Sequence, residues 1–163
     1  MIRLNIAILA AAIMCCLIPI APSLAVSGDS PLYTHFVYMF GHANILHWLI
    51  NSWALLIYHN LLRPGRLAVA YTMAVLITFL PPVGSGEMPL IGASVITCFL
   101  FGFCLQYLFY KDRLSALMMV ALILIGFFLP GIAALPHLLM FLCGAAWYVI
   151  ERLYYSFIRF VSR

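Results

Sequence analysis

The chain contains very little charge. Of its 163 residues only 7% are Asp, Glu, Lys or Arg, whereas 67% are hydrophobic. A soluble domain of this length cannot bury so much apolar surface in its own core, but a polytopic membrane protein leaves that surface in contact with lipid. The composition therefore predicts an integral membrane protein and excludes an ordinary soluble domain.

Features that would indicate other classes are missing as well. The five cysteines lie in apolar runs and match no zinc-binding spacing, and adjacent Cys15 and Cys16 are poorly placed to bridge each other. Cysteines in such runs behave as small apolar residues. Because the sequence has no repeats, low-complexity tracts or soluble appendages, we expect a single domain over residues 1–163. We expect it to contain no metal ion and no cofactor.

The apolar runs predict an all-α membrane protein with six transmembrane helices. Each run is close to the ~20 residues that span a bilayer core, and the third and fifth are shorter. Most of the runs are separated by clusters of Gly, Pro, Ser and Asp, which form turns. The predicted helices cover residues 4–23, 41–61, 67–82, 91–109, 114–130 and 135–155.

All eight basic residues lie at one end of this predicted bundle. Lys and Arg favour cytoplasmic loops, so we expect both termini in the cytoplasm, in a multi-pass protein of the bacterial inner membrane. The opposite loops carry Asp29 and Glu87. The net charge of +4 requires no nucleic-acid partner, and the tail with Arg152, Arg159 and Arg163 suits the anionic inner leaflet of a lipid bilayer.

The N-terminal run also has a second interpretation. Arg3, the apolar residues that follow it and Pro22-Ser23-Leu24-Ala25 resemble a secretory signal with a small-residue cleavage site. The run exceeds the length of about 7 to 15 residues usual for a signal core. We therefore favour a first transmembrane helix, while cleavage would leave five.

Three of the polar side chains in the second predicted helix are His42, His47 and Asn51, and in lipid each costs several kcal/mol unless it finds a partner. His47 and Asn51 are four residues apart and share a helix face, whereas His42 lies about 140° from His47. We expect His47 and Asn51 to act together in a functional site. His42, near the outer start of the helix, is expected to support the fold by bonding loop backbone.

Two more polar residues are expected at a similar depth. Ser94 lies near the start of the fourth predicted helix and His137 about one turn inside the sixth, so each is roughly 5 Å below its helix start. Either residue alone is more often structural. Together with His47 and Asn51 they match the chemistry of acyl transfer, with a serine nucleophile, a histidine base and an asparagine donor to the oxyanion.

Small residues favour close contact between these two helices. Ser94, Cys98 and Gly102 recur every four residues, and Gly144 shares a face with His137. Close approach would allow a direct bond between the serine and the histidine, although such stripes also occur in bundles without any catalytic role.

This combination of residues resembles the rhomboid family of intramembrane serine proteases. The resemblance covers roughly residues 35–150 and preserves the order, spacing and helix assignment of the family's residues. The matching residues are His42-x4-His47-x3-Asn51, Gly92-Ala93-Ser94, Gly102, His137 and Gly144. The resemblance implies a six-helix bundle with a water-accessible cavity, in which Ser94 and His137 form a catalytic dyad. It also implies an oxyanion site made by Asn51, His47 and the Ser94 N–H, and transmembrane proteins as substrates. The supporting residues are His42, Gly92, Gly102 and Gly144.

Three departures from the family pattern affect the expected cavity. Val95 and Met140 stand where glycine is usual, and Cys98 stands where many members have an aromatic residue that stacks on the histidine. No carboxylate is placed to orient His137, so we expect packing to do so.

Two other functional classes stay open. A catalytically inactive relative could bind membrane helices, although such proteins usually lack the serine or the histidine. A metal-binding or proton-conducting protein could use His42, His47 and His137, but no intramembrane carboxylate accompanies them.

Overall fold

The computed structural model describes residues 22–58, 63–80, 89–128 and 132–162. In this part of the chain 78% of the residues are helical and none belongs to a strand. The prediction of an all-α protein is therefore confirmed. The first predicted helix, residues 4–23, falls almost entirely outside the described ranges, and the six-span bundle stays a prediction.

The described residues form six α-helices, of which the first is a single turn. Helices α2 to α6 overlap the second to sixth predicted spans, whereas α1 lies in a predicted loop. Three short 3-10 turns, Pro22–Leu24, Tyr38–Phe40 and Gly126–Phe128, flank them. The helices are α1 Thr34–Val37, α2 Ile45–Ile57, α3 Pro64–Ile77, α4 Ser94–Lys111, α5 Arg113–Ile125 and α6 Ala134–Val161.

Local chemistry explains where several helices begin. Helix α3 starts at Pro64, because proline at the first helical position needs no partner for a missing N–H. Helix α4 starts only at Ser94, because Gly92 has a φ of 101° and cannot be helical. Helix α5 starts after Asp112, whose side chain accepts from the Ser115 N–H and hydroxyl. These bonds hold the pKa of the Asp112 carboxyl below its ordinary value.

Helices α4 and α6 form the centre of the structure and touch through their backbones. A Cβ built on Gly102 would overlap the Phe141 carbonyl, and a Cβ built on Gly144 would overlap the Phe99 carbonyl. Only glycine permits an approach this close. Gly102 and Gly144, two of the small residues noted in the sequence, therefore lie at the contact between the two helices.

The segment before α2 holds the start of α4 in place. Val26 and Leu90 exchange two backbone hydrogen bonds of 2.9 Å. The Tyr38 hydroxyl donates to the Ala74 carbonyl of α3 at 2.9 Å, and the Tyr38 carbonyl accepts from the Gly92 N–H at 3.0 Å. Tyr38 thus connects α3 to the residues that immediately precede Ser94.

Two of the described helices, α4 and α6, are long and apolar enough to cross a membrane by length and composition, whereas α3 and residues 113–128 are shorter. Large apolar side chains are exposed on α2 and α5, among them Leu46, Trp53, Leu117 and Leu122. The exposed apolar side chains of α2 and α5 thus lie on helices outside the central pair of α4 and α6.

Candidate active site

Ser94 is the first residue of α4, and its position follows from the two residues before it. Gly92 turns the chain with its positive φ, and Ala93 occupies the position ahead of the helix. The sequence predicts Ser94 about one turn inside its helix, whereas in the structure the helix begins at Ser94 itself. At the first helical position its own N–H has no partner within the helix.

The Ser94 hydroxyl makes a hydrogen bond of 2.7 Å with Nε2 of His137. His137 lies in the first turn of α6, and both side chains are partly buried. A serine and an imidazole at this distance have the geometry of a nucleophile and its general base. The structure thus brings together the two side chains that the sequence predicted would meet.

The other nitrogen of the imidazole determines the direction of that bond. Nδ1 of His137 lies 2.7 Å from the Ala133 carbonyl oxygen, which can only accept. In the neutral ring Nδ1 therefore carries the proton, and Nε2 accepts from the Ser94 hydroxyl. The expectation that packing alone orients His137 was wrong, because a backbone carbonyl does so.

Asn51 and His47 lie beside the turn that carries Ser94. A Cβ built on Gly92 would lie 2.7 Å from Cε1 of His47 and 3.3 Å from Nδ2 of Asn51. Glycine is thus required at position 92 both by the backbone angle and by the space that these two side chains occupy. His47 and Asn51 share a helix face, as predicted, and both side chains lie against Gly92, two residues before Ser94.

The Asn51 amide nitrogen is a buried hydrogen-bond donor. Asn51 is only 3% exposed, and its Nδ2 has no hydrogen-bond partner among the described residues. A buried donor without a partner costs about 1–3 kcal/mol. Such a group is available to a negative charge that develops next to it.

Asn44 positions His47 and was not recognised in the sequence. Its side-chain oxygen accepts from the His47 N–H at 2.9 Å, as expected of an asparagine directly before the first helical residue, Ile45. The sequence could have indicated this role, because Asn is a preferred residue directly before a helix and Asn44 lies three residues before His47.

The predicted position of His42 needs correction, whereas its supporting role stays a prediction. His42 is not part of α2, which begins at Ile45, so the helical angle of 140° does not apply. The side chain is fully buried, and its ring meets the ring of His47 edge-on with centroids 5.3 Å apart. His42 therefore contacts His47 directly, instead of lying apart from it at the outer end of a helix.

The three departures from the family pattern all lie in the interior. Val95 and Met140 are fully buried and Cys98 is nearly so. In the described part of the chain no aromatic ring is stacked on His137. Hydrogen bonds with the Ala133 carbonyl and the Ser94 hydroxyl thus hold the imidazole in place.

Within residues 22–58, 63–80, 89–128 and 132–162, no group of three or more His, Cys, Asp or Glu side chains is arranged to hold a metal ion. The cysteines of these ranges, Cys98, Cys104 and Cys143, are free thiols.

Comparisons of the chain with protein-family models, with curated proteins and with solved structures give no match. The functional interpretation therefore depends on the side chains themselves.

Proposed function

We propose that this chain is a rhomboid-like intramembrane serine endopeptidase that hydrolyses peptide bonds in or near the transmembrane segments of other proteins. One observation carries the proposal, the 2.7 Å bond from the Ser94 hydroxyl to a histidine whose other nitrogen is anchored on the Ala133 carbonyl. This arrangement supplies a nucleophile and a base in the correct tautomer, because the Ala133 carbonyl takes the place that a carboxylate has in a triad.

In the first step the Ser94 oxygen attacks the substrate carbonyl carbon while Nε2 of His137 takes the hydroxyl proton. In the imidazolium that forms, Nδ1–H still donates its hydrogen bond to the Ala133 carbonyl. The imidazolium then gives the Nε2 proton to the leaving amine as the peptide bond breaks, which leaves an ester on Ser94. The same nitrogen then takes a proton from the water that attacks this ester, and it returns that proton to the Ser94 oxygen as the acid product leaves, which restores the free enzyme.

Asn51, His47 and the Ser94 backbone N–H are proposed to stabilise the oxyanion. The buried Asn51 nitrogen, which has no partner among the described residues, supports this assignment, because such a donor gains most when charge develops beside it. His47 lies next to Asn51 against Gly92, close to the same turn.

A membrane location is part of the proposal. It is supported by the composition, by the lengths of α4 and α6 and by the large apolar side chains exposed on α2 and α5. A substrate helix entering from lipid must unwind before attack, because its backbone carbonyls are otherwise satisfied within the helix. We therefore expect substrates with helix-weakening residues near the cleaved bond.

A second candidate is a catalytically inactive rhomboid-like protein that binds membrane helices. The buried Val95, Cys98 and Met140, which differ from the family pattern, favour it. The two candidates differ in turnover alone, since both require the same apolar surface.

The test is cleavage of a reporter transmembrane segment by the purified protein in detergent micelles. We expect cleavage by the wild type and its loss in Ser94→Ala, with the thermal unfolding temperature nearly unchanged because Ser94 is a small side chain at a helix start. Cleavage retained in the variant would refute the serine mechanism. A folded wild type that binds the reporter without cutting it would support the inactive candidate.

A further inference from the structure

A groove between α4 and α6 lies far from Ser94. It has a volume of about 320 Å³ and is lined by Gln106 and Tyr110 of α4 and by Tyr148, Val149, Arg152 and Leu153 of α6. Gln106 is twelve residues after Ser94 along α4, which corresponds to roughly 18 Å at the rise of a helix. The groove is therefore separate from the candidate active site.

Arg152 brings a charge into this groove that the described residues do not neutralise. Its guanidinium makes no ion pair or hydrogen bond within those ranges. The adjacent Glu151 is already engaged, because its two carboxylate oxygens accept from Arg66 at 2.8 and 2.7 Å. The groove thus presents a net positive charge.

The rest of the lining combines polar and apolar side chains. Tyr110, Tyr148 and Gln106 supply hydroxyl and amide donors, and Tyr148 is held by an edge-on contact with Phe103, with centroids 5.5 Å apart. Exposed Val149 provides an apolar wall on α6. Arginine and tyrosine beside apolar surface are typical of the boundary between lipid headgroups and acyl chains.

We propose that this groove binds one anionic phospholipid. Arg152 pairs with the headgroup phosphate, the tyrosine hydroxyls and Gln106 donate to its oxygens, and the first part of an acyl chain lies along Val149 and Leu153. A soluble phosphate compound would leave that apolar wall unused. The charge also matches the anionic leaflet expected at this end, where the basic residues cluster. The inference rests on the proposed membrane location and not on protease activity.

The experiment measures lipid retained by the detergent-purified full chain, using native mass spectrometry with phosphatidylglycerol or phosphatidylcholine added. Every protein carries Ser94→Ala, so binding is measured without turnover. The test variant is Arg152→Gln. The matched control is Arg113→Gln, which removes one positive charge from the same end of the molecule outside the groove.

We expect phosphatidylglycerol to bind in preference to phosphatidylcholine and Arg152→Gln to weaken its binding by about fivefold or more, while Arg113→Gln has little effect. Tyr148→Phe, which preserves the ring contact, should weaken binding by a smaller factor. Equal losses in the two arginine variants would show a diffuse charge effect and overturn the proposal, as would equal binding of both lipids. A protein that cleaves the reporter but fails this test would refute the lipid site alone.

Discussion

The two ends of the α4 and α6 pair differ in how their polar groups are satisfied. At one end lie Ser94, His137 and Asn51, and the Asn51 amide nitrogen has no hydrogen-bond partner among the described residues. At the other end Glu151 accepts two bonds from Arg66 and one from Nε1 of the Trp147 indole at 3.2 Å. At the first end a buried donor has no partner among the described residues, whereas at the second end both oxygens of the Glu151 carboxylate accept hydrogen bonds.

This difference separates chemistry from stability. A donor favours a transition state only if its hydrogen bond is stronger there than in the resting protein. An amide without a partner among the described residues can therefore contribute where charge develops. The charged end instead joins α3 to α6, and the Arg66 guanidinium also lies 4.0 Å from the Phe103 ring centroid. Changes at the two ends should therefore affect different measurements.

Beyond the loss of cleavage expected for Ser94→Ala, the largest expected effect is on the turnover of Asn51→Ala. Loss of one oxyanion donor should lower kcat by about 10²–10³. The unfolding temperature should change little, because the variant removes a buried nitrogen that has no partner in the described structure. Reporter cleavage and thermal unfolding in the same detergent would measure both.

Ser52→Ala is the matched control for that prediction. The Ser52 hydroxyl is the neighbouring polar group on α2, and its oxygen is also buried without a partner among the described residues. We expect its removal to leave turnover near the wild-type value. If both variants lost rate and stability in equal measure, Asn51 would have a structural role instead.

A smaller effect, on stability alone, is expected for Glu151→Gln. The side chains of Arg66 and Glu151 are 10% and 20% exposed, so the loss of the carboxylate charge leaves a largely buried guanidinium. We expect a loss of about 2 kcal/mol in the free energy of unfolding. The measurement is denaturant unfolding of the variant, of Arg66→Gln and of the double variant.

The double variant decides whether the charges act as a pair. Its loss should be smaller than the sum of the two single losses, because each single change leaves one charge without its partner. Additive losses would contradict the pairing. Cleavage per folded molecule should stay the same in all three proteins, since none of these groups lies near Ser94.

The contact between Ser94 and His137 could be anticipated from the sequence because it depends on helix order and depth. Ala133 could not, because a backbone carbonyl has no signature in the side-chain pattern. His42 was misplaced for a related reason. Its angle to His47 assumed a helix that starts at residue 41, whereas Asn44 ends the loop and Ile45 begins the helix.

The other end of the molecule shows a different limit. Arg66 was interpreted only as a cytoplasmic charge, because a topology argument counts charges and does not pair them. The pairing needs α6 to pass beside α3, a tertiary arrangement that no local pattern contains. Helix α6 also continues to Val161, beyond the predicted end at residue 155, so the arginine tail is helical up to that point.

The central claim is that Ser94 is a nucleophile activated by His137, and labelling of the purified protein with a serine-reactive fluorophosphonate tests it most directly. The account predicts covalent labelling at Ser94 in the wild type, none in Ser94→Ala, and a loss of most labelling in His137→Ala. Labelling that persists in Ser94→Ala, or a folded wild type that does not react, would contradict it.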